Sequence, residues 1–518
     1  MKRHLLGDKN KLKHIIQCVI FFVIFFGVFS KITWMLRGND SEAREDIYGF
    51  RNQGKVDVVL YGGSNLLRYY QPLEAWKEKG YTSYNYATSA AKADLLKAYI
   101  EESRRSNEAT LYICDIRSFP MIVETVDDSS LRNWSDSLPP LSLARWGGIS
   151  SFLFSRNLDG IDIPSFYFDI LKYHMNTEAL KNSDQWRYWD LKSVYNIDKG
   201  FEPNNNHVPF ERPKRVYDVG KLTEQQEGAL NDLLDYCDDN NLQILFICCP
   251  YIIPEDDWLI INAVGEEIVS RGYTFINFND YYDDIGLDFE TDFGDVNHVN
   301  FLGAEKYTSY IMNHVLENYD LKDHRGEEEY SQWNSDYEEF AISQTGWKDA
   351  ITALVDDHSV AESIGSTLGE RTDFYDWYSM IGNSNYTVII SINDMPQEIM
   401  PGSSLHSFIK DYQIDNAREN YIGVWVGESV KVATSDTLEI ETQIGIDGGR
   451  GTDKCLVSLN SNSIIIGETD YSIDDAKIQV LVYDNNYKKV IDNVMLEIDS
   501  TNSIILRRPV SYTHLTLP

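Results

Sequence analysis

Val56-Asp57-Val58-Val59-Leu60-Tyr61-Gly62-Gly63-Ser64-Asn65 decides the fold. Its apolar run has the length of a strand and no helical spacing, and a Gly-Gly-Ser turn closes it at once. Four further apolar strands are predicted at Tyr81 to Tyr86, Thr110 to Cys114, Leu242 to Cys249 and Tyr273 to Phe278. Helical spacing fills the intervals at Ala91 to Ser103, Leu222 to Asn240 and Asp256 to Arg271, and again at Leu302 to Glu317. Thr223 caps the second of these helices, with Glu224 in its first turn. Near-continuous apolar strands alternating with helices indicate an α/β fold, a parallel sheet covered on both faces.

This domain spans about residues 50–320, with an irregular insertion rich in Trp, Tyr, Asn and Pro at about 120–215. Residues 321–375 read as an acidic linker followed by a helical stretch from Trp347 to Gly369. The pattern then changes. Short β-type runs recur at Tyr386 to Ile392, Tyr421 to Val426, Leu438 to Ile444, Cys455 to Leu459, Ile464 to Ile466, Ile478 to Tyr483 and Val490 to Ile498, with Gly and Asn/Asp turns between them. Residues 380–509 therefore read as a β-rich domain. The last nine residues, 510–518, resemble the translation of a sequencing adapter and are set aside.

The chain begins with a basic tail, residues 1–14, that carries Lys2, Arg3, Lys9, Lys11 and Lys13. An apolar stretch from Ile15 to Leu36 follows, about the length that crosses a bilayer. Lys31 is expected to snorkel at the outer interface and Trp34 to join the aromatic belt. The positive flank keeps the tail in the cytoplasm and puts everything after Arg37 outside the cell membrane. A cleaved signal peptide is the competing reading, though no A-x-A-like site follows the run.

Asp and Glu number 81 against 46 Lys and Arg, a net charge of −35, which argues against a nucleic-acid partner. Charged residues at 25% and AVILMFWYC at 43% exclude global disorder. Six cysteines without regular spacing exclude a disulfide scaffold and read as small buried hydrophobes, with Cys18 in the membrane. So few disulfides outside the membrane suit a bacterial envelope protein.

Ser64 follows a buried strand directly, where ligands of parallel sheets bind. Such a serine is either a nucleophile or the cap of an ordinary turn. Some 230 residues later come Asp295-Val296-Asn297-His298-Val299-Asn300, then Gly303-Ala304. Three apart in one turn, Asp295 can fix the tautomer of His298 while its other nitrogen activates a serine; a histidine capping a surface helix is the alternative. No metal is implied, because the acidic run Asp283 to Asp295 lacks a calcium-loop pattern, and no cofactor is expected.

Taken together, Asp57 to Asn65, Gln71-Pro72, Tyr84-Asn85-Tyr86-Ala87 and Asp295 to Asn300 with Gly303-Ala304 resemble the SGNH (GDSL-like) hydrolases. The likeness is greatest to their extracellular membrane-anchored branch, which includes the D-alanyl transfer protein of lipoteichoic acid. It covers about residues 50–320. It implies a flavodoxin-like parallel sheet, with Ser64 as nucleophile, His298 as general base and Asp295 as its orienter. There are two departures: G-D-S is G-G-S here, and Cys114-Asp115-Ile116-Arg117 replaces the G-x-N-D block whose Asn serves the oxyanion. The backbone of Ser64 and Asn65, with Asn85 or Ser89, is expected to take that role. In the C-terminal domain, Asp470-Tyr471-Ser472, Ala476 to Asp484 and Lys489 to Asp492 resemble the interleukin-like EMT inducer fold, found in carbohydrate-associated proteins. A generic β-sandwich fits these residues equally.

The implied function is an esterase or acyltransferase acting on acyl esters of cell-surface polysaccharide, with a membrane-bound acyl donor as a further partner. The strong negative charge disfavours docking of polyphosphate chains and points to a neutral glycan or to delivery by that partner. A catalytically impaired glycan-binding envelope protein using the same cleft is the alternative. The separation of Ser64 and His298 discriminates the two.

Overall fold

The computed structural model describes residues 2–37, 44–89, 91–122, 128–154, 162–181, 186, 189, 194–382, 384–414, 420–427, 429–435, 439–445, 453–458, 463–500 and 502–508. Residues 510–518 therefore lie outside the described residues, as do Leu438 and Leu459 at two predicted strand ends. The chain divides into two compact units, residues 1–351 and 352–518.

The first unit begins with α1 (Lys2–Leu36). Beyond it, β1 (Val58–Gly62), β2 (Ser83–Ala87), β3 (Leu111–Asp115), β4 (Ile244–Cys248) and β5 (Thr274–Asn277) form one sheet in the order β2-β1-β3-β4-β5. Every pairing is parallel. This is the doubly wound order whose direction of winding switches between β1 and β3. Every position of β1 to β4 is buried, which is why these strands read as continuous runs and not as alternating ones. The Tyr84 hydroxyl of β2 donates to Asp46 O at 2.8 Å.

The crossovers include α2 (Ser64–Tyr69), which starts two residues after β1, and α3 (Leu96–Arg104). Between β3 and β4 the predicted irregular insertion is helical in part, while its end, residues 201–215, runs without helix or strand. It contains α4 (Asp128–Ser137), α5 (Leu143–Phe154) and α6 (Ile170–Tyr173). Its helices escaped notice because they are short and their inward faces are partly charged. Arg145 and Asp169 are fully buried, and Asp169 accepts from Arg145 at 2.6 Å and from Arg37 Nε at 2.6 Å. Removing the shared carboxylate would leave two desolvated arginines with only Asp136, 3.7 Å from Arg145, as a nearby counter-ion. Asp169→Ala is therefore expected to cost about 3–5 kcal/mol, read as a lower unfolding transition of the first unit in a denaturant titration.

α7 (Glu224–Asp239) begins at Thr223 as expected, with a reciprocal bond from the Gln226 side chain that completes a capping box. α8 (Glu255–Ser270) leads to β5. A small hairpin of β6 (Phe293–Asp295) and β7 (His298–Val299) precedes α9 (Phe301–Tyr310). The stretch expected to be an acidic linker is folded instead: Tyr330, Trp333 and Phe340 are buried, and α10 (Ser331–Gly369) starts within it. Trp76 stacks on Tyr330 with ring centroids 6.2 Å apart, and Phe340 meets Phe201 at 6.0 Å. Aromatics spaced for one helical face outweighed the acidic composition around them.

Trp34 is also corrected. It is buried, 5.2 Å from the Tyr48 ring, with the guanidinium groups of Arg37 and Arg44 over its indole, so its ring is packed in the folded unit and is not presented on the helix surface. Of the six cysteines, none is in a disulfide, and all but Cys18 are buried.

The second unit is β-rich. β8 (Tyr386–Ile392), β9 (Tyr421–Val426), β10 (Ser429–Thr434), β15 (Ile478–Asp484), β16 (Lys489–Ile498) and β17 (Ile504–Arg507) form one antiparallel sheet. β11 (Glu439–Ile444), β12 (Asp453–Ser458), β13 (Ser463–Ile466) and β14 (Thr469–Asp470) form the other. Ile389, Val424 and Leu481 pack between the sheets with Ile440, Val457 and Ile464. The alternate residues Val388, Ile390, Val480 and Val482 pack on the far face, against Phe374, Trp377 and Phe408 of two helices. Burial on both faces explains the apolar runs Val388 to Ile390 in β8 and Val480 to Tyr483 in β15.

Candidate active site

Gly63 has an extended backbone (φ −95°, ψ −161°), and Ser64 opens α2. The two glycines serve space and not a left-handed backbone. A Cβ at Gly62 would stand 3.2 Å from Asp115 Cβ and 3.3 Å from Leu66 Cβ. One at Gly63 would stand 3.1 Å from Asn65 Oδ1. The serine thus sits at the carboxyl end of β1, beside the switch point, with its backbone N–H in the first turn of a helix, where no intrahelical acceptor exists.

The β6–β7 hairpin brings in the other two residues. Asp295 and His298 pair across its two-residue turn. The His298 Nδ1 lies 2.9 and 3.0 Å from the two Asp295 carboxylate oxygens, and its Nε2 lies 2.7 Å from Ser64 Oγ. Burial would raise the Asp295 carboxyl. The His298 hydrogen bond and charge, with the backbone N–H groups of Asn297 and His298, outweigh it and hold the group below its ordinary value. An ionised Asp295 can only accept, so Nδ1 carries the proton, Nε2 is left as the acceptor, and the Ser64 hydroxyl donates to it. The His298 side chain is 19% exposed, so the assembly is open to an incoming molecule.

Sequence reasoning missed what holds the hairpin to the sheet. Arg117, just beyond β3, donates to Asn297 O at 2.8 Å and to Asn297 Oδ1 at 2.6 Å, and its guanidinium lies 4.0 Å from the Tyr251 ring centroid. The Tyr69 hydroxyl donates to Pro250 O at 2.6 Å and accepts from Val299 N at 3.2 Å. Asp115 accepts from Asn65 Nδ2, from Cys249 N at 3.1 Å and from Arg117 N at 3.3 Å. Burial raises the Asp115 carboxyl, and these donors partly offset the shift. The clue was present in Cys114-Asp115-Ile116-Arg117: two charges at the carboxyl end of an otherwise apolar central strand.

Of the expected oxyanion residues, Asn85 is corrected. It is fully buried in β2, and its amide donates to Tyr70 O at 2.7 Å and Leu66 O at 3.3 Å, so neither proton is left for a ligand. Ser89 is exposed, and its carbonyl accepts from Asn133. The Asn65 amide is engaged by Asp115, which leaves the backbone N–H groups of Ser64 and Asn65 as the expected donors at this point.

Arg117→Lys is expected to lower kcat on the order of 10², since a lysine cannot hold both Asn297 oxygens and small displacements of a base are costly. Steady-state kinetics on a chromogenic ester would read this as a fall in kcat with little change in KM. No family model matches the chain, and no curated protein matches it.

Proposed function

We propose that the chain is a membrane-anchored serine esterase or O-acyltransferase of the SGNH hydrolase type, acting on acyl esters of cell-surface polysaccharide. One observation carries this reading: Ser64 Oγ, His298 Nε2 and Asp295 stand in a continuous hydrogen-bonded chain at the carboxyl end of a parallel sheet. Ser64 Oγ attacks the ester carbonyl while His298 Nε2 takes its proton. The C–O bond to the leaving alcohol breaks, and His298 returns the proton to that alcohol. Water or a sugar hydroxyl then attacks the acyl-serine with the same proton transfers. The developing oxyanion faces the first-turn N–H groups of α2, a weaker stabilisation than a dedicated side-chain donor provides.

The membrane reading is supported by α1, whose stretch Lys11–Leu36 is long and apolar enough to cross a bilayer, and by the basic residues that precede it. An extracellular site follows from that orientation. The reading of the cleft as a non-catalytic glycan site predicts Ser64 and His298 apart, and their 2.7 Å separation favours catalysis. A fluorophosphonate probe tests the proposal. The intact chain should label and Ser64→Ala should not; labelling that persists in Ser64→Ala refutes the assignment.

A further inference from the structure

We propose that the helical insertion between β3 and β4 is a membrane-docking collar, which rests its exposed apolar side chains in the interface of the same bilayer that α1 crosses. The inference rests on the reading of α1 as an anchor and adds a second attachment to it. The last turn of α1 is held by protein: Thr33, Trp34, Met35, Leu36 and Arg37 are all buried. Arg37 donates to Asp169 and to the carbonyls of Asp136 and Leu138, and Asn176 Nδ2 donates to Leu36 O at 2.8 Å. The lipid-facing part of α1 therefore runs only from Ile15 to Ile32, about 27 Å at 1.5 Å per residue. The hydrocarbon core is about 30 Å thick, so none of that stretch is left over as a stalk. Whatever grips the next turn lies at the membrane surface.

The gripping segments carry the apolar groups that such a position requires. Leu141, Leu143, Phe168, Leu171 and Met175 are exposed, Met175 by 78% and Leu143 by 67%. They flank Leu138 and Asp169, two of the three residues that bind Arg37. Lys31 Nζ donates to Trp189 O at 2.5 Å and lies 5.0 Å from the Trp189 ring, so an aromatic stands at the interface turn of α1 after all, supplied by the insertion. Lys172 and Lys181 are exposed in the same segment of an otherwise strongly acidic chain. Exposed aliphatics and aromatics interleaved with lysines suit the boundary between headgroups and acyl chains.

The test uses the full chain in lipid nanodiscs, in a Cys18→Ser background whose other native cysteines are buried. An environment-sensitive fluorophore is placed on Leu143→Cys and, separately, on Met175→Cys. Phe22→Cys reports the anchor, and Tyr217→Cys, 79% exposed and outside the insertion, reports bulk solvent. Lipids carrying a shallow nitroxide should quench the labels at 143 and 175 and leave the one at 217 bright. Labels at 143 and 175 that behave like the one at 217 overturn the collar while the anchor stands. Labels shielded from aqueous iodide yet untouched by the nitroxide lipid also overturn it, because a protein then covers the face. A label at Phe22 left unquenched by lipids carrying a nitroxide deep in the acyl chain overturns the anchor and the collar together.

Discussion

Ser64→Ala is expected to lower turnover of a chromogenic ester by about 10⁶, and His298→Ala added to it is expected to cost almost nothing more. The two residues act as one device. With Nε2 at 2.7 Å from Oγ, the imidazole has a proton to take only while the serine hydroxyl is there, and the hydroxyl is a poor nucleophile without the imidazole. Each single variant should therefore fall nearly to the level of the double variant. Costs that multiplied across Ser64→Ala and His298→Ala would mean that the two side chains work independently. The residual rate in either variant should be small, since among the assigned groups only backbone N–H donors face the oxyanion.

Asp295→Asn is expected to cost on the order of 10³–10⁴, although its size and shape are those of the native residue. An amide presents its NH₂ to Nδ1 as readily as its oxygen. Imidazole that accepts there carries its proton on Nε2, which then faces Ser64 as a second donor. The native carboxylate excludes that tautomer, and its depressed pKa keeps it doing so across the working range. The sign follows from linkage. A carboxyl lowered by folding contributes its contact above its unfolded value and loses it only as pH falls through the folded one. Asp295 therefore adds no titration step of its own to a rate profile measured well above the ordinary carboxylate range. Probe-labelling rates of the native chain and Asp295→Asn, compared across pH, would check both size and sign.

How much of this was legible follows from what sequence can encode locally. Ser64 was readable because β1 is a continuous apolar run and its turn is two glycines and a serine. Asp295 and His298 were readable because three residues of separation place two side chains across one tight turn. Arg117 with Asn297, and Asp115 with Asn65, were not, since each pair is separated widely in sequence and meets only through sheet order. Asn85 misled because a polar residue near the end of a strand looks available. Its donors are spent on the carbonyls of Leu66 and Tyr70 in and just after α2, which no local pattern announces. The insertion was misread for a related reason: its helices bury Arg145 and Asp169 where an amphipathic pattern expects leucine.

The buried final turn of α1 bears on geography as well as attachment. An enzyme on a flexible leash sweeps a volume set by the leash, and its reach grows with every added residue. Trp34 to Arg37 are already part of the folded unit, so on the proposed anchoring Ser64 would be held at one altitude above the bilayer, whatever the lateral diffusion of the chain. An enzyme so held would patrol a plane. On the proposed function, acyl groups on polymer still attached to, or leaving, the membrane would pass through that plane, and those on mature outer wall would not. Lengthening the join after Leu36 with a flexible insert would turn the plane into a shell, and with it change which part of the envelope the serine meets.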